Sequence, residues 1–451
     1  MAKLNVAGLN IDAITKSDFL SQILLRIKQA KKTWVITPYS EFLYHALRDK
    51  KLMETLNQAD FSIADGIGIF WAKKYLSIPL TAKSFLGKIL QAGWQIKYSL
   101  LAIFFWPRWI KSVLPEKIPG SDLIWDLAKL ANDNNLSVYL LGGFGNTPEL
   151  TEKKLISKFP NLKISGTSTK NSDDASINDD IKKASPDMLL VAYGPIKQER
   201  WIATNLPNLP VKLVIGLGGT FDYLAGKVLP PPKIMRQIGI EWLWRLITQP
   251  KRVKRIWQAT FGLILALLRY KVFTSMPYRK NEVSVVINQD REILLGLRSP
   301  RDKLLKDVGE TDTVKMNNYW QLSQGGIDDG EDLIVAAKRE LFEELGIKNV
   351  ELIKISAQTF CYDWPEANRP LLFNHYKYRG QKQHLVYFKF FGQNTEIIPD
   401  NNEFSQTKWV SIENLTAEIH PEKMPLAKII QTDLNEMTEK AIINIDKIDQ
   451  N

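Results

Sequence analysis

Short apolar runs alternate with helical patterns over the first 220 residues, and that rhythm restricts the fold more than any other feature of the chain. WVIT (34–37), FSIA (61–64), SVYLLGG (137–143), LKISG (162–166), MLLVAYG (188–194) and LVIGLGG (213–219) read as buried strands. Helical segments such as EFLYHALRDKKLMETLNQ and TPELTEKKLISKF lie between them. Regular alternation predicts an α/β fold, a parallel sheet with helices on both faces.

A second block begins near Met276. VSVVIN (283–288) and ILLGLR (293–298) read as a hairpin, followed by a polar loop, an acidic segment and further strands such as HLVYFKFF (384–391). Its character is α+β. A chain of 451 residues is long for one domain. The division expected is a first domain over 1–258, a basic and apolar connecting helix over 259–276, a second domain over 277–435 and a tail over 436–451.

Composition narrows the setting. Hydrophobic content of 45% and charged content of 24% exclude a disordered chain. The single cysteine, Cys361, excludes an intramolecular disulfide and a Cys-rich zinc site, and suits a reducing cytoplasm. A net charge of +11 points to anionic partners: phosphates, nucleic acid or an acidic membrane face. The first twenty residues lack the apolar core of a signal peptide, and no stretch is expected to reach the ~18 apolar residues that span a bilayer.

Two stretches are unusual for a soluble surface. Residues 84–114 combine Trp, Phe and Leu with lysines and almost no acid, and 261–271 follow a cluster of Lys251, Arg252, Lys254 and Arg255. Both suit helices lying in a membrane interface, with cations at the headgroups, which implies a chain held peripherally at the inner face of the plasma membrane. A core helix or an oligomer contact is the other reading.

The acidic segment GGIDDGEDLIVAAKRELFEELGI (325–347) carries the sharpest chemistry. On a helix starting near Asp332, Leu333, Ala337, Leu341 and Leu345 form a buried stripe. Glu340, Glu343 and Glu344 then stand at i, i+3 and i+4, together on another face. Like charges that close repel, so they make sense with a divalent cation, and hard oxygen ligands suit Mg²⁺ or Mn²⁺.

The order Gly325, Glu331, Arg339-Glu340-Leu341, Glu343-Glu344, Gly346-Ile347 matches the Nudix box. With PYR (277–279), YWQLSQGGI (319–327), YDWP (362–365), YRGQKQ (378–383) and NEFSQTKWV (402–410), the segment resembles the RNA pyrophosphohydrolase and dinucleoside-polyphosphate hydrolase branch of that superfamily. The resemblance implies an α/β/α sandwich that cleaves a nucleoside diphosphate linkage, RNA 5′ ends included, by metal-assisted attack of water. It implies that Glu340, Glu343 and Glu344 hold the metal, that Arg339 braces the helix against Glu331, and that the glycines turn the loop. Glu403 takes the family's late acidic position, as extra ligand, base or ordinary loop residue. Arg379 and Lys382 are placed to meet substrate phosphates, and Tyr362 and Tyr378 to stack on a base or fill the core. Leu322-Ser323 stands where the family commonly has Phe-Pro, and the loop 298–318 is longer than usual.

In the first block, ADGIGI (64–69) puts Asp65 directly after a strand, at the edge where parallel sheets receive ligands. LLGGFGNTPELTEK (140–153) joins strand to helix through glycines that leave N–H groups for a phosphate. GLGGTFDYLAGK (216–227) repeats the theme with Asp222. The G-x-G-x-x-G pattern is absent, which disfavours a nicotinamide cofactor.

TPYSEFLYHAL, ADFSIADGIGIFWAKKYL, PGSDLIWDL, YLLGG, FPNLKISGT, PDMLLVAYGPIKQERWI, IGLGGTFDYLAGK and IGIEWLWRLITQPKRVKR, in that order, resemble the WecG/TagA/CpsF glycosyltransferases. The resemblance implies an α/β, Rossmann-like enzyme that moves an N-acetylmannosamine-type sugar from a UDP donor to a polyprenyl-diphosphate acceptor at the membrane, with no cofactor evident. Asp65 is the candidate base, or a helix cap; Thr37 and Tyr39 position substrate, Tyr39 standing where the family often has Asn. Gln198 and Glu199 match the donor-binding segment. Asp222 is a substrate contact or a turn former, and Arg245, Arg252 and Arg255 meet the diphosphate or anionic lipid. Residues 81–115 form a longer insert than usual, a second membrane foot. The whole reads as a bifunctional enzyme, or as a membrane-associated transferase whose Nudix part senses a nucleotide without turnover.

Overall fold

The computed structural model describes residues 2–232, 235, 241–299, 320–364 and 378–439, within two compact units, Met1–Phe273 and Thr274–Asn451. The long loop expected at 298–318 falls outside the described residues from position 300, and so does the tail from 440.

In the first unit a short antiparallel ribbon, β1 (Lys3–Val6) and β2 (Leu9–Asp12), precedes six parallel strands. These are β3 (Thr33–Ile36), β4 (Phe61–Ser62), β5 (Ser137–Gly142), β6 (Lys163–Ser168), β7 (Met188–Ala192) and β8 (Leu213–Gly216), in the order β4-β3-β8-β7-β5-β6. The runs of β5, β7 and β8 are largely apolar because both faces are covered, whereas the edge strand β6, KISGTS, is polar and only partly buried. Alternate residues feed two cores: Ile36, Leu141, Leu189, Val191 and Val214 on one face, Val35, Leu140, Leu190, Leu213 and Ile215 on the other. Helices Ile67–Ser77 and Lys197–Asn205 pack on the first face, Lys16–Lys28 and Gly120–Asp133 on the second.

Strands β5, β7 and β8 stop one, two and three residues short of the glycine-ended sequence reading, while β6 runs two residues past it. Gly142 takes φ +98° and Gly218 φ +50°, conformations that side-chain-bearing residues adopt at a cost, and the chain turns out of the sheet. Those leftover residues become ligand-facing loops.

One expectation is overturned. Val253–Thr274 is helical throughout, with a π turn at Gln258–Gly262, and by length and composition its 22 residues could cross a membrane. The cations at its start had hidden that continuity. It belongs to the first unit, where Gly262 fits against Tyr44 so closely that a Cβ would meet the ring at 2.8 Å.

The second unit is built on β9 (Arg279–Ile287), β10 (Ile293–Arg298), β11 (Trp320–Gln321), β12 (Ser323–Gly326), β13 (Val350–Asp363), β14 (Gly380–Phe390) and β15 (Phe404–Val410). The sheet runs β11-β10-β9-β14-β13, with β12 on β9 and β15 on β10. Within this sheet, among its described strands, only the β9–β14 pair is parallel. Helix Leu333–Leu345 covers one face through Ala337, Leu341 and Leu345, and helix Met424–Glu439 the other through Leu426, Ile430 and Leu434. The result is the expected α/β/α sandwich. Asp332 caps the first of these helices by accepting the N–H groups of Ile334 and Val335. Gly346 (φ +70°) ends it, with Ile347 N–H returning to Leu341 O.

Leu341 is fully buried between this helix and the sheet. Leu341→Ala should lower the stability of the second unit by about 2–5 kcal/mol, the usual cost of such a cavity, read by chemical denaturation.

Candidate functional sites

A cavity of ≈ 690 Å³ lies in the first unit, bounded by loops at the carboxyl ends of β3, β4, β5, β7 and β8. This is the edge where the sheet's topology leaves a crevice. Asp65, Thr37, Tyr39, Gln198, Asp222, Arg252 and Arg255 all line it, together with the glycine turns at 143 and 218–219.

Asp65 does not cap its own helix; Gly66 holds that position. Its Oδ1 instead accepts the N–H of Gly120, at 3.2 Å, where helix Gly120–Asp133 begins. That contact aims the carboxylate at the cavity. Thr37 donates its hydroxyl to Gly216 O at 3.2 Å and so ties β3 to β8. In the glycine turn after β5, Lys227 donates to Phe144 O and Thr147 Oγ1, both at 2.8 Å, and braces the start of helix Thr147–Lys158.

Several expected substrate contacts turn out to be internal ties. Glu199 is fully buried, accepts the N–H of Ile196 at 2.8 Å and does not border the cavity; burial pushes its carboxyl up to about 7. Gln198 reaches the cavity wall, yet its Oε1 accepts Gly218 N–H at 3.1 Å and its Nε2 donates to Glu199. Together they hold the turn after β8, where a Cβ on Gly216 would sit 2.3 Å from Gln198. Arg255 is committed to Glu41 through two bonds of 2.9 and 3.1 Å, and Tyr39 donates its hydroxyl to the same carboxylate at 3.0 Å. A buried acid claims the nearest guanidinium, so the charge of Arg255 is already balanced. Arg252 stands 4.0 Å from Asp222, which lies in the short helix Thr220–Leu224 rather than in a turn. The side chain of Arg245 lies outside the described residues.

In the second unit the acidic helix runs beneath β12. A Cβ on Gly325 would lie 1.8 Å from the Glu340 carboxyl carbon, so only glycine lets the strand pass. Arg339 reaches in three directions: to both oxygens of Glu331 (2.9 and 3.0 Å), to Gly326 O (2.9 Å) and to Glu340 (2.7 Å). The guanidinium pulls the Glu331 carboxyl down to about 2. This is the brace the box implies.

Glu343 is exposed and 3.3 Å from Arg339. Glu344 is buried, accepts Gln324 N–H at 3.3 Å and has a carboxyl raised by burial and by a hydrogen bond with Glu403. The three glutamates are thus turned to different partners, and among the described residues no group of three His, Cys, Asp or Glu side chains gathers into a metal cage. The donor chemistry nevertheless fits a hard divalent cation. Glu344 shares a hydrogen bond with Glu403, and Glu340 feels the charge of both Glu343 and Glu403.

Sequence reading missed a further carboxylate, Glu282. It is fully buried on β9 and accepts Gly325 N–H at 2.8 Å and the Ser284 hydroxyl at 2.7 Å. Burial, then Glu340 nearby, pushes it up to about 8. An acid inside the strand run NEVSVVI was its available signal.

Arg379 is not placed for phosphate. It pairs in bidentate fashion with Asp363 (2.8 and 2.7 Å), donates to Thr274 O and lies over the Tyr278 ring. Lys382 stands half-buried on β14, opposite Cys361. Nearer the glutamates, Lys423 donates to Gln324 and Gln383 at 3.2 and 3.1 Å and lies over the ring of Tyr362, whose hydroxyl bonds Gln381. Tyr378 is half-buried.

The profile of the glycosyl transferase WecG/TagA/CpsF family matches residues 4–92 and 101–276. The chain belongs to that family. The NUDIX domain profile matches residues 278–432, so a WecG/TagA/CpsF glycosyltransferase is joined to a Nudix hydrolase domain resembling RNA pyrophosphohydrolase. Among curated relatives, an N-acetylglucosaminyldiphosphoundecaprenol N-acetyl-β-D-mannosaminyltransferase of Staphylococcus aureus is 25% identical over 56% of this chain and 88% of its own. An RNA pyrophosphohydrolase of Bartonella bacilliformis is 38% identical over 32% of this chain and 83% of its own. Among solved structures, an Ap4A hydrolase of C. elegans aligns over 35% of this chain and 98% of its own, at 17% identity and a TM-score of 0.25. The transferase match leaves out residues 93–100, which fall within the insert expected over 81–115.

The raised carboxyl of Glu282 makes the Nudix domain sensitive to pH. Below the ordinary carboxyl range, folded and unfolded chains both hold the proton. Between there and about 8 only the unfolded chain releases it, so stability falls as pH rises. In metal-free buffer the melting temperature should drop between pH 5 and pH 8, and Glu282→Gln should flatten that slope in thermal melts.

Proposed function

We propose that the transferase unit moves an N-acetylmannosamine-type sugar from a UDP donor to a polyprenyl-diphosphate-linked acceptor, and that the Nudix unit hydrolyses a nucleoside diphosphate linkage, RNA 5′ ends being the first substrate to test. The observation that carries the first reading is Asp65, fixed by Gly120 and facing a cavity rimmed with glycine turns. In the transfer, the acceptor hydroxyl oxygen bonds to the anomeric carbon, UDP departs with the electrons of the old bond, and Asp65 takes the hydroxyl proton. The turns after β5 and β8 line the space the departing diphosphate would occupy, and Arg252 adds charge there. The S. aureus relative's activity supports the same donor and acceptor classes.

For the Nudix unit, Glu340, Glu343 and Glu344 with Glu403 would hold a divalent cation, which when bound polarises the phosphate and makes water a better nucleophile. The chain itself supplies the frame. Arg339 and Glu331 fix the helix, Gly325 lets the strand close over it, and Lys423 stands ready for an anionic substrate.

Asp65→Asn should lower sugar transfer by about 100-fold or more, the contribution of a positioned base, measured as UDP release with a lipid-diphosphate acceptor. Loss of nothing would remove Asp65 from the mechanism. Glu344→Gln should lower Mg²⁺-dependent hydrolysis to a similar extent, about 100-fold, in a screen of triphosphorylated RNA, dinucleoside polyphosphates and UDP-sugars. Tight nucleotide binding without turnover by the intact chain would make the Nudix unit a sensor instead.

A further inference from the structure

The two units carry opposite charge. Residues 1–273 hold 38 Lys and Arg against 21 Asp and Glu, a net +17. Residues 274–451 hold 22 against 28, a net −6. The positive balance of the chain therefore belongs wholly to the transferase unit, and the hydrolase unit is acidic.

Much of that acid stands at the Nudix site. Asp328 and Asp329 are exposed in the turn after β12, and Asp332, Glu343 and Glu403 are exposed as well. The turn is continuous with the box: Asp328 N–H bonds Glu331, Glu331 takes Arg339, and Arg339 also reaches Glu343. Of the cations that the sequence pattern offers to phosphate, Arg379 is held by Asp363, and Lys423 stands nearer the glutamates.

A polynucleotide binds chiefly through its phosphate chain, which a basic surface collects and an acidic one repels. One divalent cation in the box would offset its own ligands, yet a unit at −6 would stay negative. A small nucleotide, with its charge confined to a single diphosphate, meets far less of this repulsion.

The transferase unit generates such a molecule. Transfer leaves UDP, which keeps the Pα–O–Pβ linkage and gains a free terminal phosphate. UDP departs from the space beside Arg252 and the turns after β5 and β8, so it competes there with the next donor. The two units share one chain, with the boundary at Phe273 and Thr274, which provides one hydrolase for every transferase. A hydrolase acting on the donor would instead destroy the transferase's own substrate.

We propose that the Nudix unit consumes the product of the transferase unit, cleaving UDP to UMP and inorganic phosphate. The oxygen of water bonds to the β-phosphorus, and the bridging oxygen leaves on UMP with the electrons of the broken bond. A water proton passes to a carboxylate of the site. Neither fragment spans a diphosphate site, so the cavity is freed for the next donor. This rests on the UDP donor and on the hydrolysis of a nucleoside diphosphate linkage proposed above, and names the substrate of the latter.

The test gives the full chain, with Mg²⁺, UDP, a UDP-sugar, triphosphorylated RNA or a dinucleoside polyphosphate, and measures the products. UDP should be cleaved with a kcat/KM about tenfold or more above the other three. In a transfer assay with UDP-N-acetylmannosamine and a lipid-diphosphate acceptor, UMP should appear mole for mole with transferred sugar. Glu344→Gln should accumulate UDP and stall, and adding a separate UDP-cleaving phosphatase should restore its rate, which shows the transferase unit intact. Cleavage of RNA or of a dinucleoside polyphosphate with UDP left whole would overturn the proposal while metal-assisted hydrolysis stands. No cleavage of any nucleotide would remove both. Faster cleavage of the UDP-sugar than of UDP would overturn it too, as would transfer by Glu344→Gln that runs to completion unaided. UDP cleavage is scored without sugar transfer, so a failed donor reading shows separately, as absent transfer.

Discussion

A sheet covered on both faces has nowhere to put polar chemistry except beyond the ends of its strands. The first unit obeys that constraint: alternate residues of β5, β7 and β8 fill two separate cores, and Thr37, Asp65, Gln198 and Asp222 all follow the carboxyl ends of strands and line the cavity. Asp65 is aimed by a helix start on one side of this edge, and the turn after β8 is fastened by Gln198 and Glu199 from beneath. The buried pair leaves the cavity to groups that can afford exposure. Glu199 thus lies behind the cavity wall, and Gln198 in that wall is spent on holding the turn.

The second unit solves a different problem, the repulsion among carboxylates held close together. Arg339 offsets part of it by drawing Glu331, Glu340 and Glu343 toward one guanidinium. The remainder rests on protonation or on a cation, because Glu282 and Glu344 are buried with no basic side chain bonded to them in the described contacts. A site arranged this way gains most from a ligand that carries positive charge into it.

The elements were largely legible because hydrophobic periodicity is local. The alternation over residues 34–219 placed all six parallel strands, and the apolar stripe of Leu341 and Leu345 placed the Nudix helix with its cap at Asp332. Partnerships were not legible, since they join positions far apart in the chain. Arg255 reads as a phosphate ligand until Glu41, 214 residues earlier, is seen to hold it. Arg379 is likewise taken by Asp363 across the β13–β14 pair. Glu282 looked like one more polar residue of a strand; its depth depends on β12 closing over it. Sequence pattern locates residue types, and the third dimension decides which of them are already spent.

The outward apolar residues of helix Phe85–Phe105 have a practical corollary. Its most exposed side chains, Leu86, Leu90, Trp94 and Phe105, lie away from the interior, which Ala92, Gln95, Ser99 and Ala102 face and against which Ile96, Leu100 and Ile103 pack. Those four positions could therefore be made hydrophilic without repacking the core, giving a more water-loving version of the molecule.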